Sequence, residues 1–189
     1  MKKIITLVLA LAMAVSLFTG CGKKNNAETG ESDSNKLSVV TTIFPEYDWV
    51  REILGGKAES TDLTMLLDNG VDLHSYQPTA DDLIKISDCD LFVYVGGESD
   101  EWVEDALKSA ANKDRKVINL LEILGDSVKE EETVEGMQEE EGDHEEKEYD
   151  EHVWLSLKNA ETLVGAISNA LQELDPDSKD TYAANADAY

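Results

Sequence analysis

Residues 91–95 read Leu91-Phe92-Val93-Tyr94-Val95, and Gly96-Gly97 ends the run. The run is short and rich in β-branched and aromatic side chains, and no charged residue interrupts it. Because a strand with one exposed face alternates apolar and polar residues, this run predicts a strand that is buried on both faces. Strands of that kind are typical of parallel sheets that helices cover on both sides.

The segments on either side alternate between strand-like and helix-like patterns. We expect further strands over 37–43, 58–67 and 116–118. We expect helices over 47–54, 80–87, 101–111, 120–124 and 159–174. This alternation predicts an α/β fold, a three-layer sandwich around a four-stranded, mostly parallel sheet. Ligands of such sheets bind outside the carboxyl ends of the strands.

The chain is strongly acidic. Its 189 residues, 41% of them hydrophobic, are enough for one core and carry a formal net charge of −25. Lys and Arg are too few to neutralise phosphates, which argues against nucleic acid as a partner and favours cations. Residues 127–151 hold thirteen acidic residues against two lysines. We expect residues 127–149 to be a disordered acidic loop.

The amino-terminal residues predict export. Two lysines precede an apolar segment that is short for a bilayer span, so we expect residues 1–20 to be a signal peptide. Leu17-Phe18-Thr19-Gly20-Cys21 is similar to the bacterial lipoprotein signal, in which the cysteine is lipidated. Residues 21–36 would then tether the protein to the outer face of the cell membrane. The alternative is a plain secretory signal with a chance cysteine.

The second cysteine, Cys89, has no disulfide partner once Cys21 is lipidated. It stands at the entry to the apolar run of residues 91–95. We therefore expect a half-buried structural thiol rather than a ligand or a nucleophile.

Two of the three histidines stand in polar loops at the expected carboxyl edge of the sheet. His74 lies in Gly70-Val71-Asp72-Leu73-His74-Ser75-Tyr76-Gln77-Pro78-Thr79, and His152 lies in Asp150-Glu151-His152-Val153-Trp154-Leu155. Two imidazoles from distant loops are typical of a metal site assembled at such an edge. Taken singly, however, a loop histidine is more often a surface or hydrogen-bonding residue. We expect His144, in the acidic run, to be a solvated loop residue.

Four motifs occur together: the two histidine motifs, Asp88-Cys89-Asp90-Leu91-Phe92-Val93-Tyr94 and Leu174-Asp175-Pro176. From about residue 37 onward the chain resembles the substrate-binding lipoproteins of bacterial zinc and manganese ABC importers. That cluster includes zinc-uptake binding proteins and streptococcal metal-binding lipoprotein adhesins. The chain departs from the family pattern at Leu73, where Pro or Glu is common, and at Ser156-Leu157, where Asp-Pro is usual.

The resemblance implies a two-lobed protein whose lobes are joined by one long helix, with the metal in the cleft between them. Residues 37–174 match the amino-terminal lobe and residues 175–189 match the start of the linking helix, so the carboxyl-terminal lobe is expected to be absent from this sequence. His74 and His152 match the two metal-binding histidines of the first lobe. A third histidine or a glutamate, and often an aspartate, come from the other lobe. Because tetrahedral zinc needs four donors, two histidines are expected to hold a metal loosely.

The resemblance also implies a function without catalysis, the capture of Zn²⁺ and its delivery to the membrane permease of an ABC importer. The acidic run with His144 matches in position the charged loop of zinc-type members, which favours zinc. Mn²⁺ is the alternative, because a carboxylate third ligand suits it. The fold is equally compatible with a surface adhesin lipoprotein. A metallohydrolase using His74 and His152 is a weaker alternative, since no His-Glu-x-x-His or Gly-x-Ser-x-Gly motif occurs.

Overall fold

A four-stranded sheet forms the middle layer of the protein. The strands are β1 (Ser38–Thr41), β2 (Asp62–Met65), β3 (Leu91–Tyr94) and β4 (Lys116–Asn119). Their order across the sheet is β2-β1-β3-β4, and all neighbouring strands are parallel. β3 is an inner strand in which Leu91, Phe92 and Val93 are fully buried. The predicted strand with two buried faces is therefore confirmed.

The protein is described by a computed structural model that covers residues 36–68, 70–130 and 149–189. All of these residues belong to one compact unit, Asn35–Tyr189. The predicted signal peptide, Cys21, the tether up to residue 35, His144 and the acidic residues 131–148 lie outside the described residues. Within the described ranges, no helix has both the length and the apolar character that a membrane crossing requires.

Helices cover both faces of the sheet. The α-helices of the described residues are α1 (Phe44–Leu54), α2 (Ala80–Asp88), α3 (Trp102–Lys108), α4 (Leu120–Leu124), α5 (Leu157–Leu174) and α6 (Lys179–Ala188). Short 3-10 helices lie at Gly55–Ser60, Leu73–Ser75, Glu98–Asp100, Gly125–Ser127, Val153–Leu155 and Pro176–Ser178. α1, α5 and α6 pack against one another and α4 packs against α5, whereas α2 packs against α3 and β1. The predicted three-layer α/β sandwich is confirmed.

Several predicted elements have different bounds in the structure. The strand predicted over 37–43 is limited to Ser38–Thr41 and the helix predicted over 101–111 to Trp102–Lys108, whereas the helix predicted over 159–174 begins at Leu157. Two further differences have a clear local reason. The helix predicted over 47–54 begins at Phe44 and includes Pro45 in its first turn, where a helix does not need a backbone N–H. The strand predicted over 58–67 is limited to Asp62–Met65. Its expected first residues belong instead to the 3-10 helix that follows α1.

Cys89 is more buried than its sequence context predicts. The side chain is fully buried rather than half-buried, and its thiol donates a hydrogen bond to the Ile86 carbonyl at 3.2 Å. Burial raises the pKa of the Cys89 thiol to about 12. A thiol that stays protonated is a poor nucleophile and a poor metal ligand, which supports the structural role predicted for it.

The chain after the acidic run completes one helical layer through α5 and α6. Ser156 caps α5 by accepting a hydrogen bond from the Asn159 backbone N–H at 3.4 Å. The serine that replaces the usual aspartate at this position therefore still supplies a capping oxygen. In α6, the residue Tyr182 is buried and its hydroxyl donates to Asp175 at 2.7 Å. This contact fixes α6 to the end of α5.

Candidate metal centre

The candidate site lies at the carboxyl ends of the strands. β2 and β3 flank β1 on opposite sides, so the strand order reverses between β1 and β3. A reversal of this kind leaves a crevice at the carboxyl edge of a parallel sheet. Here a cleft of about 410 Å³ is lined by His74, His152, Asp72 and the apolar side chains of Phe44, Val71 and Trp154.

His74 is placed by the short 3-10 helix that follows β2. Asp72 caps this helix by accepting a hydrogen bond from the His74 backbone N–H at 3.1 Å, and Leu73 anchors it in the core. The imidazole is left about half exposed, with a relative side-chain exposure of 55%. Its Nδ1 lies 2.9 Å from the Ser99 hydroxyl. The ring is therefore held at Nδ1 and open to the cleft.

His152 is placed by the aspartate two residues before it. Asp150 Oδ1 accepts the His152 backbone N–H at 2.9 Å and lies 3.1 Å from His152 Nδ1. The bond from the His152 backbone holds the pKa of Asp150 below its ordinary value, so the carboxylate stays ionised beside the ring. A carboxylate at Nδ1 favours the tautomer in which Nε2 carries the lone pair that a metal needs. The ring also contacts Trp154, with 5.3 Å between centroids.

The structure brings His74 and His152 together. Their ring centroids are 5.6 Å apart and their planes are inclined by 50°. A tetrahedral ion bonded to one nitrogen of each ring at about 2.0–2.1 Å would place the centroids roughly 5–6 Å apart. The separation of the two rings is therefore that expected for two ligands of one ion. Among residues 36–68, 70–130 and 149–189, no set of three or more His, Cys, Asp or Glu side chains forms a metal site by itself.

Two other buried carboxyl groups lie near enough to Asp100 for their charges to interact with it. Glu46, Asp100 and Glu151 are 0%, 3% and 7% exposed. Each has one carboxyl oxygen that is without a hydrogen-bond partner in the described part of the chain. Burial, followed by smaller effects that include the charge of Asp100, raises the pKa of Glu46 well above its ordinary value. Burial, with a contribution from the charge of Glu151, raises the pKa of Asp100 to about 6.

Replacing Asp100 with Asn is expected to stabilise the protein at about pH 8 and to leave it unchanged near pH 4. An acid whose pKa rises from 3.8 to about 6 on folding keeps a proton that the unfolded chain has lost, so stability falls as pH rises through this window. Asn does not titrate, and a shift of about two units corresponds to roughly 3 kcal/mol. The measurement is urea unfolding of both proteins at the two pH values.

Asp187→Asn is the matched control for this prediction, because Asp187 is exposed on α6. An exposed substitution of this kind is expected to change the free energy of unfolding by less than about 0.5 kcal/mol. If the stability of Asp100→Asn depends on pH in the same way as that of the wild type, the pKa of Asp100 is not raised by folding.

The sequence patterns identified the two histidines but not the groups around them. Ser99 and Asp100 occur in a short polar turn after β3, which has no local feature that sets it apart. Glu46 has a weak signal, because it stands in the first turn of a helix and accepts the Ile43 backbone N–H at 3.2 Å in the manner of a capping residue. The other predicted site residue, Cys21, lies outside the described residues.

The part of the chain that contains both histidines is similar to known proteins. The family model described as zinc-uptake complex component A, periplasmic (ZnuA), matches residues 39–189. The zinc-binding lipoprotein AdcA of Streptococcus pneumoniae is 34% identical over 195 residues, covering 100% of this chain and 35% of AdcA. The chain thus spans about a third of the length of that relative.

Solved structures agree with this match. Zn(II)-bound AdcA from Streptococcus pneumoniae is similar with a TM-score of 0.62 and 33% identity, over 82% of this chain and 30% of that chain. A mutant Mn-bound periplasmic metal-binding protein from Candidatus Liberibacter asiaticus has a TM-score of 0.63 and 28% identity, over 82% of this chain and 51% of that chain. Because this family model matches residues 39–189, the chain belongs to the ZnuA family of zinc-uptake complex component A proteins.

Proposed function

We propose that this protein is an extracytoplasmic solute-binding protein that captures Zn²⁺ and delivers it to the membrane permease of an ABC importer. The observation that carries the proposal is the pair of imidazoles, His74 and His152, with ring centroids 5.6 Å apart in a cleft at the carboxyl edge of the sheet. Membership of the ZnuA family and the zinc-binding relative AdcA support it. In this role the metal is the cargo, and the protein makes or breaks no covalent bond.

The donor set favours zinc over manganese. Both candidate ligands are imidazoles, which suit Zn²⁺, whereas Mn²⁺ prefers oxygen donors and binds more weakly at nitrogen sites. Two nitrogens fill only half of a tetrahedral shell. Water or donors from outside the described residues would have to complete it. Manganese stays a second candidate because the similar protein from Candidatus Liberibacter asiaticus is Mn-bound.

The proposal includes a lipid anchor on Cys21. The segment Leu17-Phe18-Thr19-Gly20-Cys21 and the lipoprotein AdcA support it. An anchored binding protein stays near the permease, since each buried CH₂ of an acyl chain contributes about 0.8 kcal/mol to membrane binding. Incorporation of labelled palmitate into the wild type but not into Cys21→Ser is the expected result. Equal labelling of both would contradict the anchor.

Calorimetric titration of the metal-free protein with Zn²⁺ and with Mn²⁺ tests the function. We expect one zinc ion per chain and weaker binding of manganese. The affinity is expected to be weak, because the described cleft supplies two imidazole donors, half of a tetrahedral shell. Tighter binding of manganese would overturn the assignment to zinc. Absence of binding by both ions would overturn the metal-binding function itself.

A further inference from the structure

Glu151 lies between the turn after β3 and the ring of His74. Its carboxylate is 7% exposed, and Oε1 accepts the Ser99 backbone N–H at 2.9 Å. Gly97 leaves the space for it, since a Cβ at that position would lie 2.3 Å from Oε1. Oε2 has no hydrogen-bond partner in the described ranges and lies 3.7 Å from His74 Nδ1. One oxygen of Glu151 is therefore held by the turn after β3, and the other oxygen faces the ring of His74.

At 3.7 Å the contact between this oxygen and Nδ1 is electrostatic rather than a hydrogen bond. A carboxylate oxygen next to Nδ1 is attracted by an N–H at that atom and repelled by a lone pair. The Ser99 hydroxyl, 2.9 Å from Nδ1, can either donate or accept and so selects neither tautomer. Of these two groups described beside Nδ1, Glu151 is the one that favours a proton at that atom. With the proton on Nδ1, the lone pair of Nε2 is available to a metal.

We propose that Glu151 is a positioning residue for the candidate metal site, which keeps the proton of His74 on Nδ1 and presents Nε2 to the ion. Asp150 has the equivalent place beside Nδ1 of His152, 3.1 Å away. Asp150 and Glu151 are consecutive in sequence. Asp150 thus orients the nearby His152, and Glu151 orients the distant His74. The second half of the proposal, the presentation to an ion, rests on the proposed function.

Glu151→Gln is the informative substitution. The amide oxygen of Gln can still accept the Ser99 N–H, so the packing of the turn is preserved. The amide NH₂ takes the place of Oε2 and donates to Nδ1, which moves the ring proton to Nε2 and blocks the metal-binding lone pair. Loss of an outer partner of this kind typically lowers metal affinity by about 10–100-fold, and we expect a zinc affinity reduced by that factor.

The decisive measurement is the tautomer of His74 in metal-free protein, determined by ¹⁵N NMR at about pH 8, where imidazole is ordinarily neutral. His74→Ala identifies the resonance. We expect the Nδ1–H tautomer in the wild type and in Ser99→Ala, and the Nε2–H tautomer in Glu151→Gln. The Nε2–H tautomer in the wild type would overturn the proposal without any variant. An unchanged tautomer in Glu151→Gln, or a change in Ser99→Ala alone, would also overturn it.

Glu161→Gln is the matched control, because it removes the same charge at an exposed position of α5. It is expected to change neither the tautomer nor the zinc affinity. The two proposals can fail separately, since the tautomer is measured without metal. A Glu151-dependent tautomer in a protein that binds no zinc would refute the function alone. Normal zinc binding with a tautomer that ignores Glu151 would refute the positioning role alone.

Discussion

Replacing both His74 and His152 with Ala is expected to abolish zinc binding. Structural zinc sites bind with roughly 10–16 kcal/mol, so each of four ligands contributes about 3 kcal/mol, or ~100-fold in affinity. Loss of either histidine should therefore weaken zinc by about that factor. Loss of both removes the two imidazole donors of the described cleft. Competition of each variant with a fluorescent zinc chelator measures the change.

The control for the double substitution is His144→Ala, which removes an imidazole from the acidic run and is expected to retain the wild-type affinity. Circular dichroism is expected to show an unchanged fold, since both site histidines are about half exposed, with relative side-chain exposures of 55% and 45%. If the double variant binds zinc as well as the wild type, the metal is held elsewhere and the candidate site is wrong.

Replacing Gly97 with Ala is expected to destabilise the protein and to weaken zinc binding at the same time. Gly97 has a φ of +81°, and a Cβ there would lie 2.3 Å from Glu151 Oε1 and 2.8 Å from its Cγ. The backbone strain costs about 1–3 kcal/mol, and the overpacking adds about 1–3 kcal/mol. The sum is roughly 2–6 kcal/mol. Because the buried Glu151 must move away, its contact with His74 is lost as well.

Two other glycines separate these effects. Gly125 also has a positive φ, +48°, but a Cβ there would meet no atom within 4 Å. Gly125→Ala is therefore expected to lower the free energy of unfolding through backbone strain alone. Gly56 has neither feature, and Gly56→Ala is expected to be close to neutral. The measurements are urea unfolding and zinc titration of all three variants. A Gly97→Ala protein no less stable than Gly125→Ala would show that Glu151 is not packed against the turn.

Most of the fold follows from local patterns. The uninterrupted apolar run at 91–95 predicted an inner strand, and the alternation of strands and helices predicted a parallel sheet with helices on both faces. Both are local properties, since side-chain periodicity records which faces of an element are buried. Two of the differences in element bounds occur at Pro45 and at residues 55–60, where turn geometry rather than periodicity decides the backbone.

The candidate site was only partly predictable. His74 and His152 stand in recognisable motifs, and the topology of a parallel sheet places both at the carboxyl edge. Ser99 and Asp100 belong to no sequence motif, and Glu46 has only the weak signal of a position in the first turn of a helix. Their roles depend on contacts between residues far apart in the chain, such as the bond from the Ser99 backbone to Glu151, 52 positions away. From sequence alone, a polar residue in a turn is predicted to be solvent-exposed, because its neighbours in space are unknown.

The amino-acid sequence by itself determined the class of fold, the family and the two imidazoles, because each of these is encoded in short segments of chain. Only the tertiary structure decided that Glu46, Asp100 and Glu151 are buried together and that one oxygen of Glu151 faces His74 Nδ1 at 3.7 Å. Burial is a collective property of packed elements. Burial, the largest cause of the raised pKa values of Glu46 and Asp100, therefore follows from that packing rather than from local sequence.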